Sequence, residues 1–309
     1  MIRALQNLDK RKLSIKNITT MKYNSVFAAQ LFSGKTYIVT GGGSGMGRCT
    51  AHELAALGAN VVIVGRTKEK LDKVSAEIAE DGGEIHALVC DVREEQQIAQ
   101  TIDQVLEKYG ALDGLVNNAG GQFRTAMKNI STRGFEAVIR NNLTSGFIFM
   151  REAHARWMAE NGGAIVNIIA DIWHGWPDFA HSGAARGGML TLSESVACEW
   201  AADNVRVNCV APGGIASSGF DTYPPEVAPK LYEFQERVPL QRYGTESEIS
   251  AAIVFLLSPA AAYITGSCLR VDGGTPNARQ TWNLETSSNN QPFEGFHRAV
   301  MPKVLMNRK

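Results

Sequence analysis

The stretch Thr36-Tyr37-Ile38-Val39-Thr40-Gly41-Gly42-Gly43-Ser44-Gly45-Met46-Gly47 decides the architecture. Its first five residues read as a short apolar strand, and a glycine-rich turn follows at once. From Met46 to about Leu57 the pattern becomes helical, and Gly58 is a natural stop. A glycine-rich loop alone marks only a tight turn. Set between a strand and a helix, it meets what a dinucleotide pyrophosphate requires. Gly41 permits the turn, Gly45 lets backbone approach the phosphates, and Gly47 lets the helix pack closely. The helix N-terminus then attracts the negative charge.

Outward from this stretch the alternation continues. Asn60–Val64 reads as a second strand, and Thr67–Glu80 as a helix with Leu71, Val74 and Ile78 on one face. Strands follow at Ile85–Cys90, Asp113–Asn117, Ala164–Ile169, near Val205–Cys209 and at Cys268–Val271. Helices fall at Arg93–Tyr109, Leu143–Glu160, Gly183–Ala201 and Glu246–Leu257. This order predicts an α/β fold: one doubly wound parallel sheet with helices on both faces. Ligands of such sheets bind beyond the carboxyl ends of the strands, near the topological switch point.

Composition narrows the function. The chain has 309 residues, 44% hydrophobic and 20% charged, with Lys+Arg and Asp+Glu both at 31. Zero net charge argues against nucleic acid as a partner. Cys49, Cys90, Cys198, Cys209 and Cys268 are scattered and form no Cys-x-x-Cys, so neither a disulfide framework nor a zinc site is expected. The histidine spacings match no metal motif. Reduced cysteines fit a cytoplasmic protein. No apolar run reaches membrane-spanning length. The basic first twenty residues lack the apolar core of a secretory signal, and Asp9 interrupts a transit-peptide reading. Met21 fits a start, with the residues before it an extension. The ending Asn307-Arg308-Lys309 is not the peroxisomal Ser-Lys-Leu address.

Thr40-Gly41-x-x-x-Gly45-x-Gly47 is followed in order by Asp91-Val92, Asn117-Asn118-Ala119-Gly120, Asn142, Pro212-Gly213 and Asp272-Gly273-Gly274. Together, from about Leu31 to Gly274, they resemble the short-chain dehydrogenase/reductase family. The resemblance implies a Rossmann-type NAD(P)-binding domain over residues 31–275 that also carries the active site. Residues 1–30 are then an N-terminal extension, disordered or from an upstream start. Residues 276–309 are a polar tail that either wraps over a neighbouring subunit or is disordered. Cofactor contacts are implied at Thr40, Gly41, Ser44, Gly45, Met46, Gly47, Asp91, Val92, Asn118, Ala119, Gly120, Arg186, Pro212, Gly213 and Ile215. A homodimer or homotetramer is implied, joined through the helices at Leu143–Glu160 and Gly183–Ala201. At the end of the second strand stands Gly65-Arg66, without the carboxylate that binds a ribose 2′-hydroxyl. A guanidinium suits a 2′-phosphate, which favours NADP(H) over NAD(H); the other reading of Arg66 is a solvated residue opening a helix.

The catalytic segment departs from the family. Its members pair Tyr and Lys as Tyr-x-x-x-Lys, with a serine upstream. Here the segment reads His181-Ser182-Gly183-Ala184-Ala185-Arg186, with Ser182 at the tyrosine position, Arg186 at the lysine position and Ala170 or a neighbour at the serine position. Arginine cannot relay a proton but can fork two hydrogen bonds to ribose hydroxyls. A serine hydroxyl is a poor acid. Reduction of a C=C bond conjugated to a thioester asks less: donors such as Ser182, Asn142 or backbone N–H groups stabilise an enolate, and the α-carbon takes its proton from a side chain or water. Asp171, His174 and His181 are the acid/base candidates; Asp171 otherwise caps its loop and His181 otherwise lines the pocket or opens the helix. Trp173, Trp176, Pro177 and Phe179 either line an apolar pocket or pack on the core or a neighbouring subunit. By family analogy Ile215–Gly244, with Tyr223 and Tyr232, is a substrate lid.

The catalytic segment, with Asn117-Asn118-Ala119-Gly120-Gly121-Gln122-Phe123 before it, also resembles the trans-2-enoyl-CoA reductases of peroxisomes, the 2,4-dienoyl-CoA reductases, and bacterial proteins of citronellol and citronellal oxidation. Three functions stay open: NADPH-dependent reduction of a 2-enoyl-CoA, oxidation of an apolar alcohol or aldehyde, and NADP(H) binding without catalysis.

Overall fold

The protein is seen here as a computed structural model that describes residues 22–222, 228–278, 284 and 290–306. Met21, Tyr223, Pro224 and Pro225 lie outside the described residues, as do 1–20, 279–283, 285–289 and 307–309.

Strand β1 (Thr36–Thr40) is buried along its whole length and leads through the glycine turn into α1 (Gly45–Ala56). Strand β2 (Asn60–Gly65), α2 (Lys68–Glu80), β3 (Ile85–Val89), α3 (Glu95–Tyr109) and β4 (Gly114–Asn117) complete the first half. The second half holds β5 (Gly163–Ile168), α7 (Ala180–Glu199), β6 (Val205–Pro212), α8 (Ala228–Arg237), α9 (Glu246–Leu257) and β7 (Cys268–Val271). The seven strands run in the order β3-β2-β1-β4-β5-β6-β7, each paired in parallel with its neighbour. The order reverses between β1 and β4, so a crevice opens at their carboxyl ends. Central strands are apolar at successive positions because helices cover both faces. One face packs Val39, Val61 and Ile63 under α1, α2 and α9; the other packs Ile38, Val62 and Leu115 under α3, α7 and the helical segment that carries Ile148 and Phe149.

The helix expected from Leu143 begins much earlier. It runs as α4 (Thr132–Ile139), a π-turn at Arg140–Thr144, α5 (Ser145–Ala153), a second π-turn at His154–Met158 and α6 (Ala159–Asn161). Ser131 Oγ caps it by accepting from Gly134 N at 3.1 Å. Thr132 and Gly134 are weak helix formers, which hides this first turn from a periodicity reading. Helix α8 lies inside Ile215–Gly244, with Leu231 and Phe234 at helical spacing.

The described tail packs on its own chain and ends in α10 (Lys303–Met306). Phe296 is buried with Tyr23 and Cys49, and Asn24 N donates to Gly295 O at 2.8 Å. Arg298 Nη2 reaches Asp81 at 2.7 Å and His297 Nε2 reaches the same carboxyl at 3.1 Å. Burial pushes Asp81 up, but Arg298 and His297 outweigh it and hold the carboxyl below its usual range. Truncating a buried phenylalanine leaves a cavity, so Phe296→Ala is expected to cost about 3–5 kcal/mol. The thermal midpoint should fall by roughly 10 °C, read by circular dichroism; an unmoved midpoint would mean the tail adds nothing to the fold.

Candidate active site

The glycine turn and the end of β4 are tied together by one hydroxyl. Thr40 Oγ1 donates to Val116 O at 3.2 Å and accepts from Asn118 N at 3.0 Å and Ala119 N at 2.9 Å. Asn118 Nδ2 returns a bond to Thr40 O at 2.9 Å. Gly41 and Gly45 have φ of 67° and 58°, the left-handed region where a side chain is strained. A Cβ on Gly47 would collide with the Gly41 carbonyl and the Asn118 amide. Ser44, the N-cap of α1, makes no side-chain cap, so that helix end keeps its N–H groups for an anion.

A groove of about 150 Å3 leads away from this turn past Gly43, Ser44, Arg66, Lys70, Val92 and Ala119. Arg66 and Lys70 are exposed at its outer end, and among the described residues no carboxylate lines it. Sequence reasoning named Arg66 and missed Lys70, whose signal was its place four positions on, over the same loop. Asp91 is forked by Arg93, with Nε at 2.9 Å, and that pairing above all holds its carboxyl below the usual range.

The inner end is built on Asn142, in the first π-turn of the long helix, a distortion frequent at functional sites. Its Nδ2 donates to Gly121 O at 2.7 Å and Val138 O at 2.8 Å, and its Oδ1 accepts from Gly121 N at 3.0 Å. The side chain thereby fixes the loop after β4. A Cβ on Gly120 would lie 2.5 Å from Arg186 Nη2, so only glycine admits the guanidinium there. Arg186 Nη1 donates to Ile168 O at 2.6 Å, while its Nε is buried without a partner. Burial lowers its pKa to about 10, which leaves it cationic at neutral pH.

Beyond Arg186 opens a cavity of about 720 Å3. Trp173, Trp176, Pro177 and Phe179 all line it, facing Phe220 and Phe234 from the segment after β6. Met46, Pro212 and Gly213 reach it from the cofactor side, so the fold brings these together with Arg186 and Asp171. His174 is on the wall but exposed, at φ 69°. Ile215 stands away from it, bridged to Gly244 beside a neighbouring cavity.

Asp171 is the wall's chemically distinctive group. Its N donates to Pro212 O at 3.1 Å, and its Oδ1 is buried without a partner. Burial raises its pKa and the Asp272 charge adds to the rise; the Trp173 N–H, Arg270 and His174 oppose it only in part. Tyr243 also lines the cavity, but its hydroxyl donates to Leu231 O at 2.6 Å.

Ser182 and His181 are off this wall. Ser182 is fully buried, and its Oγ donates to Gln122 Oε1 at 2.7 Å. His181 is fully buried, both ring nitrogens lack partners, and Phe123 meets it edge-on at 4.5 Å. Gln122, which does line the cavity, was given no role of its own by the sequence reading. Its signal is its place directly after Asn117-Asn118-Ala119-Gly120-Gly121. Among the described residues no cluster of His, Cys, Asp or Glu is placed to hold a metal ion, and no helix is long and apolar enough to cross a membrane.

A family model described as Enoyl-(Acyl carrier protein) reductase matches residues 41–276. The chain belongs to the short-chain dehydrogenase/reductase family and is an oxidoreductase of a class that binds a nicotinamide cofactor. A probable 2,4-dienoyl-CoA reductase of Bacillus subtilis is 36% identical over 250 residues, 78% of this chain and 96% of that protein. A peroxisomal 2,4-dienoyl-CoA reductase of Danio rerio is 33% identical, over 82% of this chain and 85% of that one. The solved citronellol catabolism dehydrogenase (AtuB) of Pseudomonas aeruginosa PAO1 is 50% identical with a TM-score of 0.75, over 82% of this chain and all of that one.

The structure fits the nicotinamide dinucleotide on its own terms. The uncapped helix start would receive a pyrophosphate, and Arg186, whose Nε has no partner, would offer its guanidinium to an acceptor such as a ribose hydroxyl.

Proposed function

We propose that this enzyme reduces the C=C bond of a 2-enoyl-CoA with NADPH. One observation carries the reading. The position that holds tyrosine in the family holds Ser182, sealed from the cavity and engaged with Gln122, while the wall presents a carboxyl of raised pKa at Asp171. Reducing a carbonyl requires a proton at the oxygen, and this site presents no family tyrosine to give it. Reducing a conjugated C=C bond requires the proton at the α-carbon, which Asp171, where burial and the Asp272 charge favour the protonated form, can supply. When bound, the nicotinamide cofactor supplies the hydride for the β-carbon. Arg186 holds positive potential beside the reacting carbons, and the aromatic wall accepts an acyl chain. The names of the two dienoyl-CoA reductase relatives agree with this reading. We take the enzyme to act as a cytoplasmic homodimer or homotetramer.

NADP(H) is favoured because Arg66 and Lys70 both line the groove while no carboxylate among the described residues does. A charge-assisted contact is worth roughly 1.5–3 kcal/mol. Arg66→Ala is expected to weaken NADPH about 10- to 100-fold and leave NADH nearly unchanged, by fluorescence titration. Equal losses for both cofactors would remove Arg66 from phosphate recognition.

The test is NADPH with a series of trans-2-enoyl-CoA substrates, followed at the nicotinamide absorbance. Turnover is expected; none, with NADPH binding confirmed, would overturn the proposal. The resemblance at 50% identity to a citronellol catabolism dehydrogenase favours a second reading, oxidation of an apolar alcohol with Asp171 as base. Citronellol with NADP and NAD would then be the productive panel.

A further inference from the structure

We propose that the side-chain amide of Gln122 is the hydrogen-bond donor to the substrate's carbonyl oxygen, and that Ser182 is the positioning residue that aims it. This rests on the reading of the enzyme as a 2-enoyl thioester reductase. Gln122 hangs from a fixed backbone, because Asn142 grips both the N–H and the carbonyl of Gly121. Its Oε1 is taken by the Ser182 hydroxyl at 2.7 Å, from a serine with no exposed surface. An amide is planar, so fixing Oε1 on the protein side directs Nε2 to the other side. There Gln122 borders the cavity it shares with Asp171 and Arg186.

The chemistry explains why an amide suffices. Hydride transfer from NADPH forms the β-carbon C–H bond and moves the π pair of the C=C bond toward the thioester oxygen. The Gln122 N–H stabilises that charge and keeps its proton. The electron pair then forms the α-carbon C–H bond with the proton of Asp171, leaving NADP+ and a carboxylate that solvent reprotonates. A ketone's alkoxide would need a transferred proton at the oxygen, which an amide cannot give. Serine at the tyrosine position is thus a support for Gln122 and not a weakened acid.

The test uses the full chain with NADPH and trans-2-decenoyl-CoA. Gln122→Glu keeps the shape and puts an acceptor where the donor was; kcat should fall about 10²- to 10³-fold with NADPH affinity unchanged. Ser182→Ala should lower kcat about tenfold, Ser182→Thr should recover most of it, and Ser182→Ala should add nothing in a Gln122→Ala background. Additive losses would overturn the role of Ser182, and full activity in Gln122→Ala would overturn the proposal. Absence of turnover in the wild type is instead a failure of the reductase reading. The donor is then judged without turnover, by binding indolylacryloyl-CoA to the enzyme with NADP+. A red shift in the wild type that is lost in Gln122→Glu supports the amide as carbonyl donor. The same shift in both, or none in either, overturns it.

Discussion

Asp171→Asn is expected to lower kcat for enoyl-CoA reduction about 10²- to 10⁴-fold, the range that general acid catalysis supplies. Asparagine keeps the size and polarity of the side chain, so NADPH affinity and the thermal midpoint should stay close to wild type. The carboxyl is suited to the task by its surroundings. Partial burial disfavours its charged form, and the neighbouring Asp272 charge disfavours it further. Arg270 Nε meets the Asp272 carboxylate at 3.0 Å, and Gly274 N donates to it at 2.8 Å. The pH profile gives the sign. An acid must be protonated to act, so kcat should be highest below the raised pKa of Asp171 and fall as pH rises through it. Asp171→Asn should lose that alkaline limb. An alcohol oxidation that uses Asp171 as base would show the opposite limb, rising with pH, so one profile separates the two reactions. A limb that survives unchanged in Asp171→Asn would assign the titration to another group.

The parts of the protein that were legible in its sequence are those set by neighbours along the chain. The strand–turn–helix at Thr36–Gly47 and the alternation after it rest on glycine conformation and apolar periodicity, and both are local. The cofactor groove followed from them. The reacting end did not, because its geometry is made by pairs distant in sequence. Ser182 and Gln122 are sixty positions apart, and no pattern shows that the serine hydroxyl donates to the glutamine side chain. His181 is adjacent to Ser182, yet the helix rotates it into a buried position against Phe123. Asn142 was legible as a residue of the site, but its grip on Gly121 depends on a π-turn that periodicity conceals. The tail read as featureless because its anchors, Phe296, His297 and Arg298, are three consecutive residues held by partners distant in sequence, without a repeating face.

Arg186→Met should have the other large effect, a fall in kcat/KM of about 10³, equal to roughly 4 kcal/mol of transition-state stabilisation. Methionine nearly fills the volume of the arginine stem and removes its charge and donors. The loss should appear in kcat as well as in cofactor affinity if the proposed reaction develops its charge beside this cation, which lines the cavity. Lysine keeps the charge and is the residue usual at this position in the family, so Arg186→Lys should recover a substantial part. The same substitution tests why the arginine is there. Burial lowers its pKa, and among the described residues no carboxylate offsets that burial. Its Nη1 has only a carbonyl and its Nε has no partner. A buried cation satisfied so poorly is costly to the fold, and an apolar replacement of similar size is often neutral or stabilising. Arg186→Met is therefore expected to hold or raise the thermal midpoint while activity falls. That pairing marks a group kept for the reaction at the expense of stability. A loss of stability in proportion to activity would instead make Arg186 a structural strut between β5 and α7.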